Sequence, residues 1–318
     1  MTETIGIDLG GTKAQAGVLD EDRKVLWEDR EASTGQGEEE LLELLVGAIA
    51  EAREARPGVA AVGLGIPATI DRERGVAVAA VNLPITDLPI RDAVAERAGL
   101  PAFVDNDANV AALAEFLYGA ARGARNVVML TIGTGVGGGL ILGGEVYRGS
   151  TGAGAELGHT VIDMNGPRCQ GNCPNRGCIE AFASGTAIGR EGRAAAEREP
   201  ESALGKLAAA GRGIDGRVVT EAALAGDAAS IAIFDLVGSR LGVALASFAN
   251  IFDPDTIVIG GGVIAAGDLL LEPARRVLLE RALAPMNRVP VVAAELGNDA
   301  GMIGAAAMAR IELERGAG

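Results

Sequence analysis

Thr4-Ile-Gly-Ile-Asp8-Leu-Gly10-Gly11-Thr12-Lys13 is the stretch on which the architecture turns. Ile5, Ile7 and Leu9 alternate as one face of a strand should, and two glycines then break the run. Ala14 to Leu19 resumes as a second strand, and Asp20-Glu-Asp22 turns the chain into a third, Lys24 to Trp27. The layout then returns. Asn126 to Ile132 reads as a strand, Gly133-Thr134-Gly135 as its turn, Gly138 to Leu142 as a second strand, Gly143-Gly144 as a hairpin turn and Glu145 to Arg148 as a third strand. Asp8-x-Gly-Gly-Thr and Thr131-x-Gly-Thr-Gly therefore occupy the same point in two copies of a three-strand unit followed by helices. This is an internal repeat, weak in identity and clear in layout.

Between and beyond the copies, Leu41, Leu45, Ile49 and Ala52 recur at helical spacing and stop before Pro57. Val59 to Ile66 reads as a buried strand, and Pro89 and Gly99 bracket a helix. A short strand, Ala102 to Val104, meets the polar cluster Asp105-Asn106-Asp107 and a helix from about Ala108 to Tyr118. Ala183 to Ala196 and Ser230 to Phe248 read as helices. Thr256 to Ile259 is a strand ending in Gly260-Gly261-Gly262 and running into another helix. A last strand near Val289 to Val292 precedes a helix from about Ala300.

The totals set bounds. With 318 residues, 48% apolar and 22% charged, the chain is globular and long enough for two domains. Aromatics are 3%, so the core must be aliphatic, packed closely with the help of 47 glycines. A net charge of −15 argues against a nucleic-acid partner, which demands a basic face. No apolar run is expected to reach the ~20 residues of a membrane span. Met1 leads almost directly into a strand, leaving no room for a signal peptide. Reduced cysteines fit the cytoplasm.

All three cysteines and the single histidine fall in one segment: Glu156-Leu-Gly-His159, then Cys169-Gln-Gly-Asn-Cys173-Pro-Asn-Arg-Gly-Cys178-Ile-Glu180. Three thiols and an imidazole make the ligand set of a closed structural Zn²⁺ site. Free buried cysteines, or one disulfide with an odd thiol left over, are the competing readings. Glu156 and Glu180 flank the knuckle as carboxylates that zinc does not need, which suggests a binding site built around the metal.

Three Gly-rich turns directly follow apolar strands, and backbone N–H groups in such turns bind phosphate. None is followed by Gly-Lys-Ser/Thr, so none is a Walker A loop. Gly133-Thr-Gly-Val-Gly-Gly138 matches the dinucleotide fingerprint but leads into a strand instead of a helix, so the Rossmann reading fails. Asp8 beside the first turn would repel phosphate unless Mg²⁺ stood between them. Asp107 has two readings, helix N-cap or general base, and Asn106 is an equally good cap.

Asp8-Leu-Gly-Gly-Thr-Lys13, Asn106-Asp-Ala-Asn109, Gly133-Thr-Gly135, Glu156-Leu-Gly-His159, Cys173-x₄-Cys178-x-Glu180 and Gly260-Gly-Gly together resemble the ROK family of bacterial sugar kinases, over nearly the whole chain. Within that family the chain looks closest to the glucokinases. The resemblance implies an α/β actin-like ATPase (hexokinase/ribonuclease H-like) fold of two domains with a cleft between them. Residues 1–118 with about 300–318 would form one domain, and 119–299, with the knuckle, the other. It implies ATP-dependent phosphorylation of D-glucose at the 6-hydroxyl, with Asp107 as base. Asn82, Asn106, Glu156, His159 and Glu180 would bind sugar, His159 also ligating zinc with Cys169, Cys173 and Cys178. Asp8, Gly10, Gly11, Thr12, Lys13, Gly133, Thr134 and Gly135 would serve ATP and Mg²⁺, and Gly260, Gly261 and Gly262 the adenosine.

Two features depart from the family pattern. The first cysteine pair is Cys169-x₃-Cys173 where the family has a single intervening residue, so two extra residues should loop out and Cys169 is the ligand in question. Gly65-Ile-Pro67-Ala68 replaces Gly-x-Pro-Gly. Kinases for another hexose (N-acetylglucosamine, mannose, fructose or allose) and a non-catalytic sugar-binding regulator are the alternatives. Hexose and ATP are the expected partners, with neither nucleic acid nor membrane, in a homodimer or homotetramer.

Overall fold

The computed structural model describes residues 2–10, 14–20, 24–31, 37–80 and 83–316. The first copy of the repeat forms β1 (Glu3–Leu9), β2 (Ala14–Leu19) and β3 (Val25–Glu31), with β2 antiparallel to both neighbours. Helix α1 (Glu38–Ala55) buries Leu41, Leu45, Ile49 and Ala52, the stripe their spacing predicts. Strands β4 (Val59–Ile66), β5 (Ala68–Asp71), β6 (Val76–Ala80) and β7 (Thr86–Leu88) lead to α2 (Ile90–Ala98). Gly99 ends α2 at φ 64°, a left-handed cap that costs glycine little. Then come β8 (Ala102–Asn106) and α3 (Asp107–Tyr118). β1, β4 and β8 run parallel, giving a sheet of order β3-β2-β1-β4-β8. β5, β6 and β7 form a separate small sheet that the sequence reading leaves unassigned.

The second copy supplies β9 (Val127–Ile132), β10 (Val136–Leu142) and β11 (Glu145–Val146). Gly143 and Gly144 join the last two with φ 65° and 92°, the double positive φ of a type I′ turn. Helix α4 (Ile179–Ala183), which the sequence reading leaves unassigned, precedes α5 (Gly185–Arg198), which matches the helix expected from Ala183 to Ala196 and is capped by the Ser184 hydroxyl accepting from Ala187 N–H. α6 (Ala203–Ala209), α7 (Gly216–Leu224) and α8 (Ala228–Phe252) follow, then β12 (Thr256–Gly260), α9 (Asp268–Arg281), β13 (Val291–Ala293) and α10 (Ala300–Gly316). The second sheet has the order β11-β10-β9-β12-β13, with β12 parallel to β9 and β13. Strand for strand, that is the order of the first sheet. The repeat in sequence is a repeat of topology, and the fold is that of the actin-like ATPases.

The described residues group into two compact units, Met1–Gly123 with Gly139–Ala155 and Glu295–Gly318, and Ala124–Gly138 with Glu156–Ala294. Residues 139–155, expected in the second domain, pack with the first. Gly139 explains why: a Cβ there would stand 2.6 Å from Ala112 Cβ and 2.7 Å from the Ala108 carbonyl oxygen, so β10 lies directly on α3.

In the first unit α10 is buried from Ala300 to Ala309 and lies on β1 and β4. Its approach depends on absent side chains. A Cβ on Gly6 would stand 2.6 Å from Ala306 N, and one on Gly63 2.6 Å from the Ala305 carbonyl carbon. The Thr4 hydroxyl donates to the Ala306 carbonyl at 2.9 Å and fixes the register of that contact.

In the second unit α8 corrects the expectation that no stretch is apolar enough to span a membrane: by length and composition it qualifies. Its apolar stretch is 56% buried inside the molecule, and Arg240 on it lies 4.7 Å over the Phe182 ring while pairing with Glu191. It is a core helix.

Candidate active site

The first unit brings Asp8, Asn106 and Asp107 to the C-terminal ends of parallel strands, where an open α/β sheet places ligands. Asn106 caps α3. Its side-chain oxygen accepts from Ala108 N–H at 2.9 Å and Asn109 N–H at 3.3 Å, while its amide donates to the Ala68 carbonyl at 3.4 Å. Ala68, the departure from the family's glycine, thus holds Asn106 through its backbone. With Asn106 as cap, Asp107 is the first helical residue; of its two readings, the capping one belongs to its neighbour.

Asp105 stiffens this corner. Its buried carboxylate accepts from Asn106 N–H at 2.8 Å, from Asn109 Nδ2 at 2.9 Å and from Arg148 Nε at 2.6 Å. Arg148, read as the end of a strand, lies beyond β11 and forms a buried ion pair with this carboxylate. The sequence marks Asp105 only as one of a polar cluster; its partner is set by the fold.

Asp8 ends β1 next to Gly10 and beside Gly301 in the first turn of α10. Burial, and then the negative charge of Asp107, push the Asp8 carboxyl up to about 7. Two carboxylates that feel each other's charge make a site that suits a divalent cation. Gly11, Thr12, Lys13 and Asn82 lie outside the described residues.

The second unit gathers the four residues expected to ligate a metal. One ligand atom each from His159, Cys169, Cys173 and Cys178 lies within 4.8 Å of all the others. Cys169 Sγ is 3.5 Å from His159 Nδ1, and Cys173 Sγ is 3.9 Å from Cys178 Sγ. Tetrahedral zinc, with bonds of about 2.3 Å to sulfur and about 2.0 Å to nitrogen, requires edges of about 3.5 Å and 3.8 Å. A disulfide would need sulfurs about 2.05 Å apart. Burial, with the neighbouring sulfurs adding to it, pushes the Cys169 thiol up, so three adjacent thiolates call for a central cation. The four residues fit a metal, Cys169 included.

His159 offers Nδ1 to that cluster and turns Nε2 towards Glu156, 3.9 Å away. Burial raises the Glu156 carboxyl, His159 pulls it down and Glu180 raises it again. Glu180 Oε2 accepts from Val136 N–H at 2.9 Å, immediately after the Gly133–Gly135 turn. Gly135 leaves room for that carboxylate, since a Cβ would run into Glu180 Oε2 and push it off the Val136 amide. The turn itself, unlike Gly261 at φ 83°, has no left-handed residue, and a Cβ on Gly133 would meet open space, so of its two glycines only Gly135 serves a close approach within the chain. Gly261 lies against Ile132 so tightly that a Cβ would stand 2.6 Å from Ile132 N, which brings the Gly260–Gly262 turn beside the Gly133 turn.

Sequence reasoning misses the fastening of these turns. Thr186 Oγ1 donates to the Thr134 carbonyl at 2.9 Å, Gly185 N–H to the Gly133 carbonyl at 2.7 Å, and Gln170 reaches both Thr134 and Ser184. Only Gln170 carries a signal, as one of the residues added between Cys169 and Cys173.

The ROK family model matches residues 4–312. The chain is 38% identical over 307 residues to the glucokinase of Thermotoga maritima, covering 96% of each chain. It resembles the crystal structure of a ROK family glucokinase from Streptomyces griseus in complex with glucose and AMPPNP at a TM-score of 0.86 and 38% identity, covering 97% of this chain and 99% of that one. It is also 33% identical to a putative xylose repressor of Caldicellulosiruptor sp. strain Rt8B.4, covering 96% of this chain and 77% of the repressor. Motifs, topology and near end-to-end similarity agree: the chain belongs to the ROK family.

Proposed function

We propose that the protein transfers the γ-phosphoryl group of ATP to the 6-hydroxyl of D-glucose, giving glucose 6-phosphate and ADP. The observation that carries the reading is the division of labour at the start of α3, where Asn106 caps the helix and Asp107 stands first in it beside Asp8. The similarity to a glucokinase solved with glucose and AMPPNP supports both substrates.

Asp107 accepts the proton of the 6-hydroxyl as that oxygen forms its bond to the γ-phosphorus; the bond from phosphorus to the bridging oxygen breaks, and ADP leaves with the electron pair. Asn82, Asn106, Glu156, His159 and Glu180 hold the sugar hydroxyls, with His159 donating through Nε2 while Nδ1 faces the cysteines. Gly10, Gly11, Thr12, Lys13 and Gly133 to Gly135 receive the phosphates, and Gly260 to Gly262 the adenosine. Asp8 would hold Mg²⁺, which when bound offsets the charge of the phosphates. His159, Cys169, Cys173 and Cys178 would hold Zn²⁺, which fixes the loop between Glu156 and Glu180. The chain assembles as a homodimer or homotetramer, and three thiols directed at a metal suit the cytoplasm.

The test is ADP release with ATP and a panel of glucose, N-acetylglucosamine, mannose, fructose and allose. Glucose should give the highest kcat/KM. A higher value for another hexose replaces the substrate and keeps the kinase; sugar binding without ADP release makes the protein a regulator.

A further inference from the structure

We propose that Gln170 is a positioning residue for the nucleotide, tying the metal knuckle to the Gly133–Gly135 turn so that the fold of the knuckle sets the shape in which that turn meets phosphate. The inference rests on the kinase reading for its substrate and on geometry for its mechanism. Gln170 belongs to the Cys169-x₃-Cys173 segment, whose extra residues were expected to loop out idly. Instead its Nε2 donates to Ser184 Oγ at 2.9 Å and lies 3.4 Å from the Thr134 carbonyl oxygen.

Both acceptors matter. Ser184 is fully buried and caps α5, so it does not move independently of that helix. The first residues of α5 in turn grip the phosphate turn, Gly185 through the Gly133 carbonyl and Thr186 through the Thr134 carbonyl. A Cβ on Gly185 would stand 2.9 Å from the Gly133 carbonyl oxygen, so that contact leaves little slack. On the other side Glu180, two residues after Cys178, holds Val136 N–H. The turn is thus clasped from both sides by groups whose place depends on the cysteine knuckle. Gln170 is the one that follows directly on a ligand, next to Cys169, so a shift of Cys169 reaches Thr134 through it.

The experiment compares wild type with Gln170→Ala and the bulk-preserving Gln170→Met. Both variants should keep about one zinc per chain and a glucose KM within about twofold of wild type. AMPPNP affinity by calorimetry and the KM for ATP should each weaken about fivefold, the scale of one neutral hydrogen bond. Gln170→Glu, which turns a carboxylate on the Thr134 carbonyl, should weaken both further. A purely structural role would lower Tm without separating ATP from glucose, and that result overturns the proposal. So does unchanged AMPPNP affinity, or loss of zinc in Gln170→Met. Wild type that binds AMPPNP yet phosphorylates no hexose defeats the kinase reading and leaves this one standing on the calorimetry.

Discussion

Asp8 is buried beside Asp107: burial, and then the negative charge of Asp107, hold the Asp8 carboxyl at about 7 where an ordinary aspartate titrates near 3.8. The native state therefore keeps a proton that the unfolded chain loses near pH 4, and stability from this source falls as pH rises from about 4 to 7. Asp8→Asn removes the charge. In protein free of metal and nucleotide, the Tm advantage of the variant over wild type should be small at pH 5 and grow by several degrees at pH 8, while turnover is lost. A Tm difference that does not change with pH would contradict the pairing.

Asp107→Asn should fold with a near-normal Tm, because the cap of α3 is Asn106. Glucose and AMPPNP should bind within a few-fold of wild type. With the proton acceptor gone, kcat should fall by about 10²- to 10⁴-fold. Turnover within tenfold of wild type would remove Asp107 from the chemistry.

Cys169→Ser should lose most of its zinc. Cys169 Sγ stands at the correct tetrahedral edge from His159 Nδ1, despite the unusual spacing that puts it in question on sequence grounds. Elemental analysis should find about one zinc per chain in wild type and well under half that in the variant. Full retention would mean that another group replaces the sulfur.

Glu115 anchors the chain that enters α10. Fully buried on α3, its carboxylate accepts from Ala120 N–H at 2.8 Å, Glu295 N–H at 3.1 Å and Leu296 N–H at 2.8 Å. Glu115→Ala leaves three amides without that acceptor and should cost about 3 kcal/mol or more in urea unfolding. Glu115→Gln, which keeps an acceptor, should cost less. Zinc content should not change in either. Equal stability of all three proteins would refute the anchor.

Much of this was legible in residue order because local rules and the tertiary fold agree. The alternation of Ile5, Ile7 and Leu9 and the paired Gly turns specify strands whatever surrounds them, and both sheets carry the expected meander. The ligand set was legible because cysteine and histidine are so scarce here. What escaped depends on contacts distant in sequence. Arg148 lies 43 residues from Asp105 and Glu295 lies 180 from Glu115, and no local pattern announces either partner. The strands from Ala68 to Leu88 escaped for another reason: they are three to five residues long, too short for alternation to stand out, and β6 is mostly alanine. Ser184 moves the start of the expected helix from Ala183 to Gly185, because its hydroxyl gives the backbone a cap there.

The glycine-lined seat of α10 has a consequence for the order in which the molecule can be made. Gly6 and Gly63 leave a groove that Met302 to Ala309 fill, so β1 and β4 wait for a helix that is made long after them. Synthesis usually lets an N-terminal domain fold first. Here the first unit is closed by residues from 295 onward, and Gly301 is part of the wall against which Asp8 is buried. A nascent chain, or one clipped after Ala294, has Asp8 in its sequence without the surroundings that lift its pKa. The burial that lifts Asp8 is therefore complete only once α10 has been made and seated.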